Sequence, residues 1–454
     1  MEKDMPLYDR LTEHIKLGRS SFHTPGHKGN FFTPELIKLD LTELPDTDAL
    51  FEASGVILRC ERAAARLFGA ERSLISAGGC TLAIQAMLRI ASLRGGRLLL
   101  ARNSHRSAVN AAALLGIEPV WIMPEGGKSY TGRITPEAVE QAFDEHPDIT
   151  ACYITSPSYY GELCDVKGIA GICHSHGALL LVDNAHGSHL AFMKENLHPL
   201  ALGADMTACS LHKTLPVLTG GALLNISSPE LAGGAKSAMS LFGSTSPSYM
   251  IMASIDRCIS YMSSEGAEAY RNCEETVARL RKMAAGMDIL QPEGLCDPLR
   301  LTLNTALRGL SGERAQLDFF ERMGIDCEFC DGENAVMIFT PFNTEDDISR
   351  VRRAISELGR LRGTTEKAAV RKKPAELPER ILSLREAVLS PAEIIAVKDA
   401  AGRIAADTVC PCPPGVPLIM PGELIDKQTL CRLRENNISQ IRVCIPAGEL
   451  NGKS

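Results

Sequence analysis

The sequence has no uninterrupted apolar stretch of about 18 residues, the length from which a membrane-spanning helix is read, so no membrane span is predicted. It also has no basic excess: 48 Lys and Arg stand against 55 Asp and Glu, a net charge of -7. A protein that grips nucleic acid shows a basic stripe, so that class of partner is excluded. The N-terminal stretch MEKDMPLYDRLTEHIK mixes both charges and lacks the apolar segment of a secretory signal. The expected location is the cytoplasm, where the 15 cysteines stand as reduced thiols. Metal-ligand spacing is missing too. Cys327 and Cys330 form a C-x-x-C and Cys410 and Cys412 flank a proline, but neither has a second matched pair of Cys or His. They read as small hydrophobes, and no metal is expected. Aromatic residues make up only 5%, and the lone Trp121 sits in the strand-like EPVWIM as core.

What is present is ordinary for a globular enzyme: 45% hydrophobic and 23% charged residues. A length of 454 residues predicts two or three domains. The first half alternates short apolar runs with helical stretches. RLLLAR (97–102), EPVWIM (118–123), TACYITS (150–156), ALLLVD (178–183) and GGALLN (220–225) read as strands buried on both faces. CTLAIQAMLRIASL, SAVNAAALLG, TPEAVEQAFDEH and KGIAGICHSHG between them read as helices, and Thr135-Pro136-Glu137 is a helix start. This alternation implies an α/β fold with a mostly parallel sheet covered by helices. A long helix-like stretch after Tyr249 leads to a smaller α+β domain. There PLRLTLNT and NAVMIFTP read as strands, and ERAQLDFFERMG and EDDISRVRRAISELG as helices. The expected division is an N-terminal segment 1–30, a large domain 31–265, a small domain 266–360, a charged linker 361–380 and a C-terminal segment 381–454.

The chemistry concentrates on Lys213, within TACSLHKTLP, and on LLLVDNAHGSHL some thirty residues upstream. A lysine in a Ser-x-His-Lys run flanked by apolar segments suits a covalent bond to a cofactor aldehyde rather than a surface position. Asp183 ends an apolar strand, at the sheet edge where α/β enzymes bind ligands. There it pairs with a pyridine nitrogen, or else it caps a turn. Gly78-Gly79-Cys80-Thr81 opens a helix, whose free N–H groups and dipole suit a phosphate. His105, in ARNSHRSAVNA, follows another strand; it stacks on a cofactor ring or is simply a satisfied polar group.

Taken in order, SFHTPGHKGN (21–30), ARNSHRS, VDNAHGSHLAF, SLHKTLP, GSTSPSYMIMASID (243–256), GIDCEFCDGENAVMIFTP (324–341) and CPPGVPLIMPGELI (412–425) resemble the motifs of the bacterial Orn/Lys/Arg decarboxylases. These are fold type I, aspartate aminotransferase-like pyridoxal phosphate enzymes. The resemblance implies that Lys213 bonds to the cofactor and Asp183 pairs with its ring nitrogen. It puts His105 and Ala185 on the two ring faces and His186 near the phenolic oxygen. Ser210, Thr81 and the amides near Gly79 and Cys80 hold the phosphate, and His212 lies beside the phosphate and the reacting carbon. Ser244 and Thr245 reach the phosphate of a neighbouring subunit, which implies a homodimer or small homo-oligomer. Glu328 faces the distal cation of a basic amino acid. Cys80 stands where a hydroxyl is usual, and Asn184 where glutamate is common. The chain begins near the first motif, so the N-terminal wing of longer members, and their decamers, are not expected. The implied reaction is α-decarboxylation of arginine, lysine or ornithine, with arginine favoured. The alternatives are another fold type I activity, such as an aminotransferase or carbon–carbon lyase, and a regulatory protein without turnover, for which Cys80 is the only support.

Overall fold

The computed structural model describes residues 18–22, 41, 43, 47–125, 132–292, 294–311, 314–361, 377–410 and 417–446. Most of the first motif, from His23 on, the bulk of the expected linker, and residues 412–416 lie outside this set. Strand β1 (Ser20–Phe22) belongs to the second half of the molecule, below. Seven strands form the central sheet. They are β2 (Arg72–Ser76), β3 (Arg97–Ala101), β4 (Pro119–Ile122), β5 (Ile149–Thr155), β6 (Leu179–Asp183), β7 (Met206–Cys209) and β8 (Ala222–Ile226). Their order is β2-β8-β7-β6-β5-β3-β4. Only β8 runs antiparallel to its neighbours, β2 and β7; the other pairs are parallel.

The five apolar runs all form strands. Because successive residues of a strand point to opposite faces, each run supplies two cores. Leu98, Leu100, Tyr153 and Leu181 pack with Met87 of helix α2 (Gly79–Ser92), which follows α1 (Val56–Phe68). Leu99, Cys152, Ile154, Leu180 and Val182 pack on the opposite face with Val139, Phe143 and Ile169. Helix α3 (Arg106–Leu115) follows β3. Helices α4 (Pro136–Glu145) and α5 (Val166–Ser175) cover the second face. Helix α4 starts as expected, with Thr135 Oγ1 accepting from the Ala138 N–H at 3.2 Å.

A short helical turn, α6 (Leu211–Thr214), follows β7. The predicted long helix is α7 (Tyr249–Tyr261) and α8 (Ala267–Ala285), joined through a π-type turn at Met262–Gly266. A Cβ on Gly266 would lie 2.7 Å from the Met262 sulfur and 2.8 Å from the Tyr261 ring, so a larger residue there would force both side chains to shift. Beyond it lie β9 (Leu290–Gln291), β10 (Arg300–Asn304), β11 (Ile325–Cys327), β12 (Phe329–Cys330) and β13 (Asn334–Ile338). Four of these make an antiparallel sheet in the order β12-β13-β10-β9, and β1 pairs parallel with β11. Helix α9 (Glu345–Arg360) starts with a capping box between Thr344 and Asp347. The stretch ERAQLDFFERMG differs from the expected α-helix: it forms a π-type turn over Ala315–Phe320 and a 3-10 turn over Glu321–Met323.

The C-terminal region contains α10 (Leu384–Leu389), β14 (Ala392–Ala396), α11 (Lys427–Glu435) and β15 (Gln440–Cys444). Leu384 and Met420 pack on Val109, Ala112 and Ala113 of α3. Beside them Arg102 makes a two-pronged ion pair with Glu423, at 2.5 and 2.7 Å, with both side chains buried. Removing one partner of a buried pair leaves an uncompensated charge, so Glu423→Ala is expected to cost about 3–5 kcal/mol of stability. A urea unfolding midpoint equal to wild type would show that water reaches Arg102.

Candidate functional site

The carboxyl ends of β2, β3, β6 and β7 meet at one edge of the sheet, and the loops leaving them carry most of the expected residues. Asp183 is the last residue of β6 and is buried. Its Oδ2 accepts from the Tyr153 hydroxyl at 3.2 Å, and its Oδ1 from the Ala185 N–H at 3.1 Å. Lys213 sits on α6, which is held from outside by the Tyr270 hydroxyl on the Thr214 carbonyl at 2.6 Å. Lys213 Nζ lies 2.9 Å from His186 Nε2.

His105 caps α3: its Nδ1 accepts from the Ser107 N–H at 3.2 Å, which leaves the proton on Nε2 in the neutral ring. The residue stays accessible to solvent, but protein surrounds much of it, and the charges of Asp183 and Lys213 both act on it. His212 Nδ1 faces the Gly221 carbonyl at 3.3 Å, leaving Nε2 as its free acceptor.

The α2 N-terminus has no capping side chain, and Gly78 and Thr81 are exposed there. The N–H groups of a helix's first turn have no intrahelical partner. Here the Gly79 amide donates to the Gly220 carbonyl at 2.8 Å, so the donors left for an anion start at Cys80. Gly79 has φ 73, a left-handed conformation that favours glycine. Cys80 points inward; its thiol meets the hydroxyl of the buried Ser210 and feels the charges of Asp183 and Lys213.

The electrostatics follow from burial. Loss of solvent lowers the Lys213 pKa and disfavours its ammonium form, with Asp183 opposing. The same loss drives His186 well down, helped by Lys213 and Arg300. His105 is lowered by burial against the pull of Asp183, and His212 by burial against the Gly221 carbonyl. Burial, then Asp183, pushes the Cys80 thiol up. The site therefore gathers an amine whose ammonium form is disfavoured, imidazoles pushed toward the neutral form, a buried carboxylate and a helix N-terminus. The neutral form of such an amine attacks an aldehyde.

Glu328 lies between β11 and β12 and is half-buried. Its carboxylate acts on both Lys213 and His212, which brings it to the same site. The Tyr159 hydroxyl donates to Glu328 Oε1 at 3.0 Å. The Tyr159 ring stacks on Phe329 with centroids 4.6 Å apart and meets His186 edge-on at 4.9 Å. Ser244 and Thr245 are not part of this cluster: they are exposed on the loop before α7. Asn184 is buried under the site, with its Nδ2 donating to Cys209 Sγ at 3.4 Å. Three residues of the site escaped the sequence reading: Tyr153, Tyr159 and Arg300. Arg300 had a signal, a lone cation in the apolar strand PLRLTLNT. Among the described residues no group of three or more His, Cys, Asp or Glu is arranged to hold a metal ion.

The Orn/Lys/Arg decarboxylase major domain matches residues 5–297, and the family's C-terminal domain matches residues 364–434. An arginine decarboxylase of Halalkalibacterium halodurans is 30% identical over 96% of this chain and 94% of its own length. The constitutive lysine decarboxylase of Escherichia coli is 23% identical over 93% of this chain and 76% of its own length. Among solved structures, that of the Escherichia coli constitutive lysine decarboxylase aligns with TM-score 0.74 at 19% identity, covering 97% of this chain and 82% of its own. A serine palmitoyltransferase of Sphingomonas wittichii aligns with TM-score 0.59 at 15% identity, covering 78% of this chain and 97% of its own.

Proposed function

We propose that this chain, which belongs to the Orn/Lys/Arg decarboxylase family, removes the α-carboxylate of arginine to give agmatine and carbon dioxide. That it is a pyridoxal phosphate-dependent amino acid decarboxylase follows from the family; the choice of arginine is the proposal. Its support is the arginine decarboxylase relative at 30% identity, against 23% for the lysine decarboxylase. The observation that carries a basic substrate is the Glu328 carboxylate beside Lys213 and His212, steadied by Tyr159. A carboxylate at the far end of the substrate suits a planar guanidinium, which it meets with two hydrogen bonds.

The residues fit pyridoxal phosphate. Ser210, Thr81 and the amides from Cys80 on would hold the phosphate at the uncapped α2 terminus. Lys213 would hold the aldehyde carbon and Asp183 the ring nitrogen. His105 and Ala185 would lie on the two ring faces, with His186 by the phenolic oxygen. When bound, the cofactor accepts the electron pair left on the α-carbon as carbon dioxide departs. Asp183 would keep the ring nitrogen protonated. Lys213 Nζ, or His212 once its Nε2 has taken up a proton, would return a proton to the α-carbon. Glu328 and Tyr159 orient the substrate from its cationic end. Ser244 and Thr245, exposed on this chain, would complete the phosphate site of a second copy, so the working unit is a homodimer or small homo-oligomer.

The test is incubation of purified protein and pyridoxal phosphate with arginine, lysine and ornithine separately, with carbon dioxide followed and the amine identified by mass. Agmatine from arginine is expected; cadaverine or putrescine instead would move the substrate, and a keto acid would move the reaction. Glu328→Gln is expected to raise KM for arginine about 10- to 100-fold with a smaller change in kcat. That is the loss of one charge-assisted hydrogen bond worth about 1.5–3 kcal/mol. An unchanged KM and substrate preference would remove Glu328 from this role.

A further inference from the structure

Arg300 opens β10 with its side chain only 1% exposed, and its guanidinium spans the back of His186. Nη1 and Nη2 each lie 3.4 Å from His186 Nδ1. Nη1 also donates to the Tyr159 carbonyl at 2.7 Å, and Nη2 to the His186 carbonyl at 3.5 Å. The arginine stem lies over Gly161. A Cβ there would come within 3.0–3.1 Å of three Arg300 side-chain carbons, and φ 93 also favours glycine. On the far side Nε lies 3.5 Å from Asp297 Oδ2, and Asp297 Oδ1 lies 2.7 Å from His189 Nε2. Asp297 also accepts from the Leu299 N–H at 2.9 Å. The guanidinium is thus held by the Tyr159 carbonyl, Asp297 and the close approach of Gly161, and it faces His186, the neighbour of Lys213.

A guanidinium carries donors and no acceptor. The ring nitrogen that faces it must present a lone pair, because an N–H there would point at two other donors. This holds even though contacts of 3.4 Å are long for hydrogen bonds. In a neutral imidazole the proton then resides on Nε2. That atom lies 2.9 Å from Lys213 Nζ. With Nε2 as the donor, the contact is a hydrogen bond only when Nζ offers a lone pair.

We infer that Arg300 is a positioning residue: it fixes His186 as the Nε2–H tautomer and so holds Lys213 as the neutral, nucleophilic amine. Burial acts in the same direction, lowering both Lys213 and His186, and the Arg300 charge lowers both further. Other groups bear on Nζ as well: Asp183, Cys80 and Glu328 favour the ammonium, against burial first and the Arg300 cation after it. An arginine acting through His186 would thereby set the pH at which the site loads its cofactor.

The inference rests on reading Lys213 as the cofactor-binding amine, but its test needs neither substrate nor cofactor. In the cofactor-free protein, pulse acetylation with acetic anhydride across pH, followed by peptide mass spectrometry, reads the midpoint of Lys213 reactivity. Nitrogen-15 histidine spectra, assigned by loss of a signal in His186→Gln, read the His186 tautomer. In wild type the expected state is neutral His186 with the proton on Nε2, and a Lys213 midpoint below the ordinary lysine value of about 10.4. Arg300→Met removes the cation and every donor, and is expected to raise the midpoint by about one pH unit or more and to admit the Nδ1–H tautomer. Arg300→Lys keeps a cation and donors, and is expected to stay near wild type. An Nδ1–H ring or an imidazolium in the wild-type protein at neutral pH overturns the inference, whether or not Arg300→Met folds. So does an Arg300→Met protein with tautomer and midpoint unchanged. Failure to decarboxylate arginine would leave these readings intact and count only against the proposed substrate.

Discussion

Lys213→Ala is expected to lower turnover by about 10,000-fold or more, the upper range for one positioned proton-transferring group, and to abolish the near-visible absorbance of covalently held cofactor. No other amine among the described residues is paired with His186 in this way. The substitution leaves the local structure in place. The α6 turn is closed by Leu215 N–H on the Leu211 carbonyl at 2.7 Å and by Tyr270 on Thr214, and neither contact uses the lysine side chain. Alanine is also the best helix former. A circular dichroism spectrum like wild type with turnover gone is the expected pair of results. Turnover within tenfold of wild type would mean that the chemistry resides elsewhere.

The second large effect is expected at Asp183. Asp183→Asn keeps the shape and removes the charge. The amide oxygen still accepts from the Ala185 N–H, and the Tyr153 hydroxyl, a donor or acceptor by rotation, meets either end of the amide. The fold should therefore survive. What is lost is the charge of a buried carboxylate, which on the proposed function faces the cofactor's ring nitrogen. The loss of one preorganised electrostatic partner costs about 100- to 1,000-fold in kcat. Steady-state kinetics with saturating pyridoxal phosphate measure it. Tyr153→Phe, which removes a neutral donor only, should cost far less. A near-normal rate in Asp183→Asn would show that the ring nitrogen is not held here.

These two residues were legible because their signals are local. Asp183 closes an unbroken apolar strand, and Lys213 follows within one motif. The same holds for β3, β4, β5, β6 and β8. Strand β7 was not read: its four residues, Met-Thr-Ala-Cys, carry little hydrophobic signal and gain strand identity only between β6 and β8. Arg300, Tyr159 and Glu328 act together across long sequence separations, so no window of the chain displays their contacts. The ERAQLDFFERMG stretch misled for another reason: its residues have helical propensity, but Gly324 ends the stretch in a left-handed conformation with φ 69, and the packing settles into π and 3-10 turns.

The Arg102–Glu423 pair ties the last part of the chain to the strand end that leads into His105. A ribosome that has reached residue 361 has already made every residue proposed for the site. It has not yet made the carboxylate that Arg102 requires, nor Leu384 and Met420, which cover α3. Until they arrive, the segment carrying His105 is anchored on one side by an unpaired cation. Completion of this enzyme is therefore a matter of timing as well as geometry: a nascent chain holds all the groups proposed for the site before it holds the partners of the segment that carries His105.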